Sequence, residues 1–210
     1  VNTPLAVISN YIQMLAKQIP ADDPRQKTIE RIVKQTFRAS EIVNNLLNFS
    51  RTGTPEFSAV DLNSVLEETL TLVQHPFRTA QVNVIKNYTH QLPLVLGSTT
   101  RLQQVFLNLF MNARDAMPTG GMLEVRTAAH NGSVEVEVTD TGTGIATEHL
   151  KRIFDPFFTT KTSGRGTGLG LSVSYGIIKE HAGKVDVRST PGKGTSFRLE
   201  FPVARKAVHA

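Results

Sequence analysis

The chain has 210 residues, 40% hydrophobic and 20% charged, with no cysteine, a formal charge of +5 and an isoelectric point near 9.6. This describes a soluble globular protein with room for one ordinary domain and a small one. It excludes disulfides and thiolate metal sites, and no apolar run approaches the roughly 20 residues of a membrane-spanning helix. The basic residues are spread without a dense run, so they read as a solvated surface around an anion pocket and not as a nucleic-acid face.

No basic-then-apolar start marks a secretory signal. Val1 is not an initiator methionine, and a helical pattern is already running by Leu5, so the chain reads as a fragment of something longer. Leu5, Ile8, Ile12, Leu15 and Ile19 recur at spacings of three and four, the seam of a helical bundle. Pro20 and Pro24, with Asp22 and Asp23 between them, break that helix. A second helix is expected over 26–51, with a wider stripe of Ile29, Ile32, Val33, Phe37, Val43, Leu46 and Leu47. Two helices alone bury too little to be stable, so the hairpin is expected to dimerise into a four-helix bundle.

Gly53 and Pro55 punctuate the chain, and 53–60 reads as a linker. Beyond it helices and strands alternate. Asp61 is placed to cap a helix to about Val73, and 82–85 and 94–96 read as short strands. Ser98 is expected to cap a helix to about Met117, stopped by Pro118. Residues 123–128 and 134–140 form a hairpin across Asn131 and Gly132. A last helix opens near Gly168 and ends at Gly183. Strands at 184–188 and 195–203 follow, joined by a turn through Pro191 and Gly192. The predicted class is α+β: the helical hairpin, then a sandwich of helices on one face of a mixed sheet. The tail, 204–210, is expected to fray.

Three segments carry chemistry, and their combination is more telling than any one. Asn108 and Asn112 stand four apart, so both amides share one helix face, with Asp115 beside them. Leu107, Phe110 and Met111 are expected to pack the other side. Oxygen ligands suit Mg²⁺, which takes its remaining ligands from water and phosphate. Asp140 ends a strand of alternating valines and precedes Gly142, Gly144 and Ile145. A carboxylate there can accept from an adenine amino group, and glycines let backbone approach the ring. A long polar segment follows, with Phe154, Phe157 and Phe158 at its start and Lys161 and Arg165 within it. Either cation could neutralise a terminal phosphate, and a segment of this kind is usually a lid. Gly166, Thr167, Gly168, Leu169, Gly170 and Leu171 then lead into a helix whose first N–H groups suit an anion. Together these describe an ATP site of neither common kind. No Gly-Lys is followed by Ser or Thr, as a Walker loop requires. The G-x-G-x-G spacing also departs from the dinucleotide fingerprint. The six histidines show no metal-ligand spacing.

These segments resemble the boxes of bacterial two-component sensor histidine kinases: 108–116 the N box, 140–145 the G1 box, 154–161 the F box, 166–171 the G2 box and 194–197 the third glycine box. Asn2, Thr3, Pro4 and Leu5 are similar to the end of an H box, H-E-x-x-[NT]-P-L. The resemblance covers essentially the whole chain. It implies a dimerisation and phosphotransfer hairpin over 1–52 and a catalytic ATP-binding domain over 61–203, in a cytoplasmic kinase core. The phosphoacceptor histidine and its acidic neighbour would lie just before Val1, so this chain alone would bind ATP without phosphorylating itself. By resemblance, Asn112 holds Mg²⁺, and Asp140 binds the adenine amino group with support from Thr195. Asn108 and the lid hold the phosphates, and Thr3 positions water for dephosphorylating a partner response-regulator receiver domain. Ser98 stands where many relatives carry Asp. Asn108 stands where the hydrolases of the wider superfamily (DNA gyrase, MutL, a heat-shock chaperone) carry a general-base Glu. It therefore argues for transfer to a protein side chain. The alternatives are a gyrase-like ATPase and a nucleotide-binding dimerisation scaffold.

Overall fold

The structure is a computed structural model, and it describes residues 7, 11–12, 14–16, 19–20, 23–26, 28–29, 32–33, 36, 56–161 and 166–204. The chain divides into two compact units, Val1–Gly53 with Pro156–Leu169, and Thr54–Asp155 with Gly170–Ala210. Thr3, Arg165, the H-box remnant 2–5, the second-helix residues Phe37, Val43, Leu46 and Leu47, and the tail 205–210 lie outside the described residues.

In the first unit, the described residues on either side of the 19–24 break are helical at 7, 11–12, 14–16, 25–26, 28–29, 32–33 and 36. The break is a tight turn. Asp23 N–H donates to the Pro20 carbonyl at 3.1 Å, and Gln26 N–H to the Asp23 carbonyl at 2.9 Å. The Gln26 amide also reaches back to the carbonyls of Ala16 (3.1 Å) and Ile19 (2.8 Å), satisfying acceptors that a helix end leaves open. Ile29 is buried, while Tyr11, Met14, Leu15 and Ile32 are 44–68% exposed, so part of the apolar stripe is uncovered in a single chain.

The second unit begins with β1 (Ser58–Val60), a short strand inside the expected linker. It pairs antiparallel with β3 (Val95–Gly97). Three residues are too few to show a periodicity, which is why sequence reasoning missed it. Between them lie α1 (Leu62–Thr79) and β2 (Val82–Asn87). Asp61 caps α1 as expected, its carboxylate accepting Asn63 N–H at 2.9 Å. The helix runs past the expected end near Val73 and through Pro76. The carbonyl that Pro76 cannot serve belongs to Leu72, a residue 65% exposed, while Phe77 beyond it is buried and anchors the last turn.

Then come α2 (Thr99–Ala116), β4 (Gly121–His130), β5 (Ser133–Asp140), α3 (Thr147–Leu150), α4 (Gly170–Glu180), β6 (Lys184–Thr190) and β7 (Gly194–Pro202). The five-stranded sheet has the order β2-β4-β5-β7-β6, with β2 and β4 parallel and the other pairs antiparallel, the expected mixed sheet. The β4–β5 turn uses Asn131 and Gly132 at φ +46° and +80°, the mirror-image turn that matches strand twist. Alternation along the strands gives one buried face. Leu123 and Val125 share this face with Val134, Val136 and Val138, which pair in turn with Phe201, Leu199 and Phe197. The helices cover this face with Leu66, Val73, Leu102, Phe106, Phe110, Ile177 and Ile178, each worth about 1.5–3 kcal/mol when fully buried. The core stripe of α2 is Leu102, Val105, Phe106, Leu109, Phe110 and Ala113. Of the three residues expected there only Phe110 belongs to it, and Leu107 and Met111 are half-buried.

Ser98 stands at the N-cap position of α2, but its side chain makes no capping bond, correcting the expectation from sequence. Its backbone is engaged instead. The Ser98 N–H donates to His181 Nε2 at 3.0 Å, and its carbonyl accepts Leu102 N–H. His181 is buried, with Nδ1 2.7 Å from the Ile177 carbonyl. A carbonyl only accepts, so the proton sits on Nδ1 and Nε2 is the acceptor. Phe57 stacks on the ring at 4.7 Å between centroids. Burial pushes the His181 pKa down.

Candidate functional site

The site in the second unit starts from a row of three polar side chains on the buried face of the sheet. Asp140 on β5 pairs with Thr195 on β7, and Thr195 pairs with Ser189 on β6. Side chains directly opposite on neighbouring strands lie about 4.5–5.5 Å apart at Cβ. In the next row inward the same strands carry Val138, Phe197 and Val187, so the polar row marks where core gives way to site.

Asp140 is 5% exposed. Burial raises its pKa, partly offset by backbone hydrogen bonds from Gly142 and Thr195. The bond from Gly142 N–H to Oδ1 is 2.8 Å. A buried carboxylate without a cationic partner is costly unless a ligand donor completes it.

The loop after Asp140 is held on three sides. Thr143 N–H donates to the Ala116 carbonyl at the end of α2 (2.9 Å), and the Thr143 carbonyl accepts Gly192 N–H from the β6–β7 turn (2.8 Å). Ile145 N–H donates to Ser189 Oγ at 2.8 Å. Gly144 has φ +69°, and a Cβ there would strike the Thr190 carbonyl. Gly194, at φ +104°, lies against the Asp140 carbonyl with no room for a Cβ. Both positions require glycine for conformation and for space.

The helix face expected to hold metal and phosphate borders this loop through Ala116. Asn108, half-buried, donates its amide to the Gly170 carbonyl at 3.1 Å and to Ser174 Oγ at 3.2 Å. Ser174 Oγ itself donates to the Gly170 carbonyl at 2.9 Å. Asn108 therefore fixes the first turn of α4. Asn112 is half-buried one turn further along α2, and Asp115 is paired with Arg114. Among the described residues no group of three acidic, His or Cys side chains forms a metal cage. A single amide oxygen on this face fits an ion that draws most ligands from water and phosphate. Leu171 is half-buried in the first turn of α4.

The structure thus brings together Asp140, Gly142, Gly144, Ile145 and Thr195, with Asn108 and Gly170 joined to each other. Lys161, Gly166, Thr167, Gly168 and Leu169 belong to the first unit. There Phe157, at φ +67° and 68% exposed, donates its N–H to the Gly168 carbonyl at 2.9 Å. Lys161 N–H donates to Thr159 Oγ1 at 3.2 Å, and Leu169 N–H to Thr167 Oγ1 at 3.3 Å. Sequence reasoning missed Ser174 and Ser189. Their spacing to Asn108 and Thr195 is set by tertiary contact; the one available clue was a serine just before the Pro191–Gly192 turn.

The family model described as histidine kinase-, DNA gyrase B- and HSP90-like ATPase matches residues 97–205, more than half of the chain. The chain belongs to that family. The model described as the His kinase A (phospho-acceptor) domain matches residues 1–55. The two matches in this order make the chain the core of a two-component sensor histidine kinase. The signal transduction histidine-protein kinase AtoS of Escherichia coli (strain K12) is 37% identical over 97% of this chain and 33% of its own length. The sensor histidine kinase ZraS of the same organism is 34% identical over 97% of this chain and 43% of its own. This kinase core thus spans less than half the length of either relative. Among solved structures, the catalytic domain of histidine kinase ThkA is similar at TM-score 0.63 and 32% identity, covering 70% of this chain and 96% of that one. ThkA in complex with the response regulator protein TrrA is similar at TM-score 0.74 and 28% identity, covering 97% of this chain and 58% of that one.

Proposed function

We propose that this kinase core binds Mg-ATP in the second unit and, within its longer protein, transfers the γ-phosphoryl group to a histidine just upstream of Val1. The phosphate then passes to an aspartate of a response-regulator receiver domain. The observation that carries this reading is the buried Asp140 beneath a glycine loop, placed to accept from an adenine amino group. In this reading each residue of the site has a role. Asp140 and Thr195 recognise the base, with Gly142, Gly144 and Ile145 as its walls. Asn108 and the first turn of α4 from Gly170 to Leu171 face the phosphates, and Gly166, Thr167, Gly168 and Leu169 are proposed as phosphate-binding residues by their resemblance to the G2 box. Asp115 neighbours the metal face, and Lys161 and Arg165 neutralise the terminal phosphate. Mg²⁺, held by Asn112, would spread charge over the phosphate oxygens.

Asn108 supports transfer over hydrolysis. Its amide nitrogen already donates to Gly170 and Ser174, and an amide oxygen is too weak a base to take a proton from water. Catalysis then rests on positioning and charge neutralisation.

The domains in this reading are a hairpin over 1–52, a linker over 53–60 and a catalytic domain over 61–203, on the cytoplasmic side of any anchor. The exposed Tyr11, Met14, Leu15 and Ile32 support dimerisation through the hairpin, and Thr3 would serve dephosphorylation of the regulator. Among the described residues no helix is long and apolar enough to cross a membrane.

The test restores His-Glu before Val1 and supplies γ-labelled Mg-ATP. Acid-labile, base-stable label that disappears in Asn112→Ala is expected. Free phosphate without label would overturn transfer in favour of hydrolysis.

A further inference from the structure

Ser189 sits at the far end of the polar row, and its hydroxyl makes three contacts. Ile145 N–H lies 2.8 Å from Oγ, the Gly194 carbonyl 2.9 Å and Thr195 Oγ1 3.0 Å. A serine hydroxyl has one proton and two lone pairs. The Gly194 carbonyl can only accept, so it takes the serine proton. The Ile145 N–H can only donate, so it takes one lone pair. One lone pair remains, and Thr195 fills it only by donating its own proton. This is the single assignment in which all three contacts are hydrogen bonds.

The consequence reaches the base pocket. Thr195 is 4% exposed and stands beside Asp140 in the row. With its proton spent on Ser189, Thr195 Oγ1 offers the pocket lone pairs only, as the ionised Asp140 does. We propose that Ser189 sets the hydrogen-bond polarity of the pocket by holding Thr195 as an acceptor, so that the site takes a purine with an amino group at C6 and rejects one with a carbonyl. Ser189 is a positioning residue; it acts through Thr195 and through the Ile145 wall. The proposal rests on the adenine-site reading above, and it adds the residue that enforces the preference.

The test is calorimetric titration of the full 210-residue chain with Mg-ADP and with Mg-inosine diphosphate, whose carbonyl reverses the polarity of that edge. Wild type should prefer ADP. Ser189→Ala frees the Thr195 hydroxyl to turn and donate. ADP should weaken by roughly 3- to 10-fold while the inosine nucleotide holds or improves, narrowing the ratio about tenfold. Ser189→Thr keeps a hydroxyl and should keep the ratio, which separates this effect from damage to the edge strand. In a Thr195→Val background the Ser189→Ala change should no longer move the ratio. Equal weakening of both nucleotides, or the same narrowing in the Thr195→Val background, would overturn the proposal while leaving the adenine site standing. A wild type without preference would overturn the adenine-site reading itself.

Discussion

Replacing Asp140 with Asn should move affinity and stability in opposite directions. The carboxylate is 5% exposed, and burial raises its pKa. A carboxyl whose folded pKa lies above its unfolded value, about 3.9, is penalised in the fold while ionised. The penalty is present at neutral pH and relieved as pH falls through the folded pKa. Asn removes that penalty at pH 7. It also keeps an oxygen for the 2.8 Å bond from Gly142 N–H. With the oxygen held there, the amide nitrogen turns to the base, where a donor meets the adenine donor. The lost charge-assisted bond is worth about 1.5–3 kcal/mol, so ADP should bind roughly 10- to 150-fold more weakly. The melting temperature of the free protein should hold or rise by about 1–4 °C. Titration calorimetry and thermal unfolding on the same preparations give both numbers. A variant that loses stability and affinity together would refute the reasoning, because Asp140 would then be a structural member of the ladder.

Three more outcomes are expected. Gly194→Ala combines φ +104° with a Cβ driven into the Asp140 carbonyl and should cost on the order of 2–3 kcal/mol in denaturant unfolding. Gly192→Ala, at φ +76° with nothing within 4 Å, should cost only about 1 kcal/mol; equal losses would remove the role of close approach. His181 is held neutral, its pKa lowered by burial, so its contribution is complete above the unfolded value near 6.5 and is lost as pH falls below it. His181→Phe should therefore be less stable at pH 7 by about 1–3 kcal/mol, with a flatter melting curve against pH between 7 and 5; an unchanged slope would refute a ring held neutral by burial. Asn112→Ala should abolish the gain in ADP affinity that Mg²⁺ gives wild type, while metal-free binding stays within about threefold; a retained gain would move the metal elsewhere.

Much of the second unit was legible because its signals are local. The valine alternation before Asp140, the Asn131–Gly132 turn and the Asp61 cap each act within a few residues, and each stands as read. What failed depended on distant partners. Ser98 looked like a cap because serine favours that position, yet a ring 83 residues away claims its N–H. The end read near Val73 fell short, because the helix continues through Pro76 to Thr79 with Phe77 buried in its last turn. Glycine positions were readable as a set, but which of them need positive φ is decided by the loop they pack on. Ser174 had no signature and Ser189 only its place before the Pro191–Gly192 turn, because serine is common and their importance lies in what they touch.

The contacts of α2 and α4 explain how so open a loop can present so exact a row. Ser98 at the start of α2 meets His181 just beyond α4, and Asn108 further along α2 meets Gly170 and Ser174 at the start of α4. The two helices therefore run antiparallel, pinned at the start and middle of α2 and at the two ends of α4 by side chains that bond backbone. Slippage by one residue would shift each helix about 1.5 Å and break both pins at once. The same α2 ends at Ala116, whose carbonyl holds Thr143 in the glycine loop. A loop tied to that rigid pair on one side and to Ser189 on the other has little freedom left to lose when a nucleotide enters, and preorganisation of that kind favours tight binding.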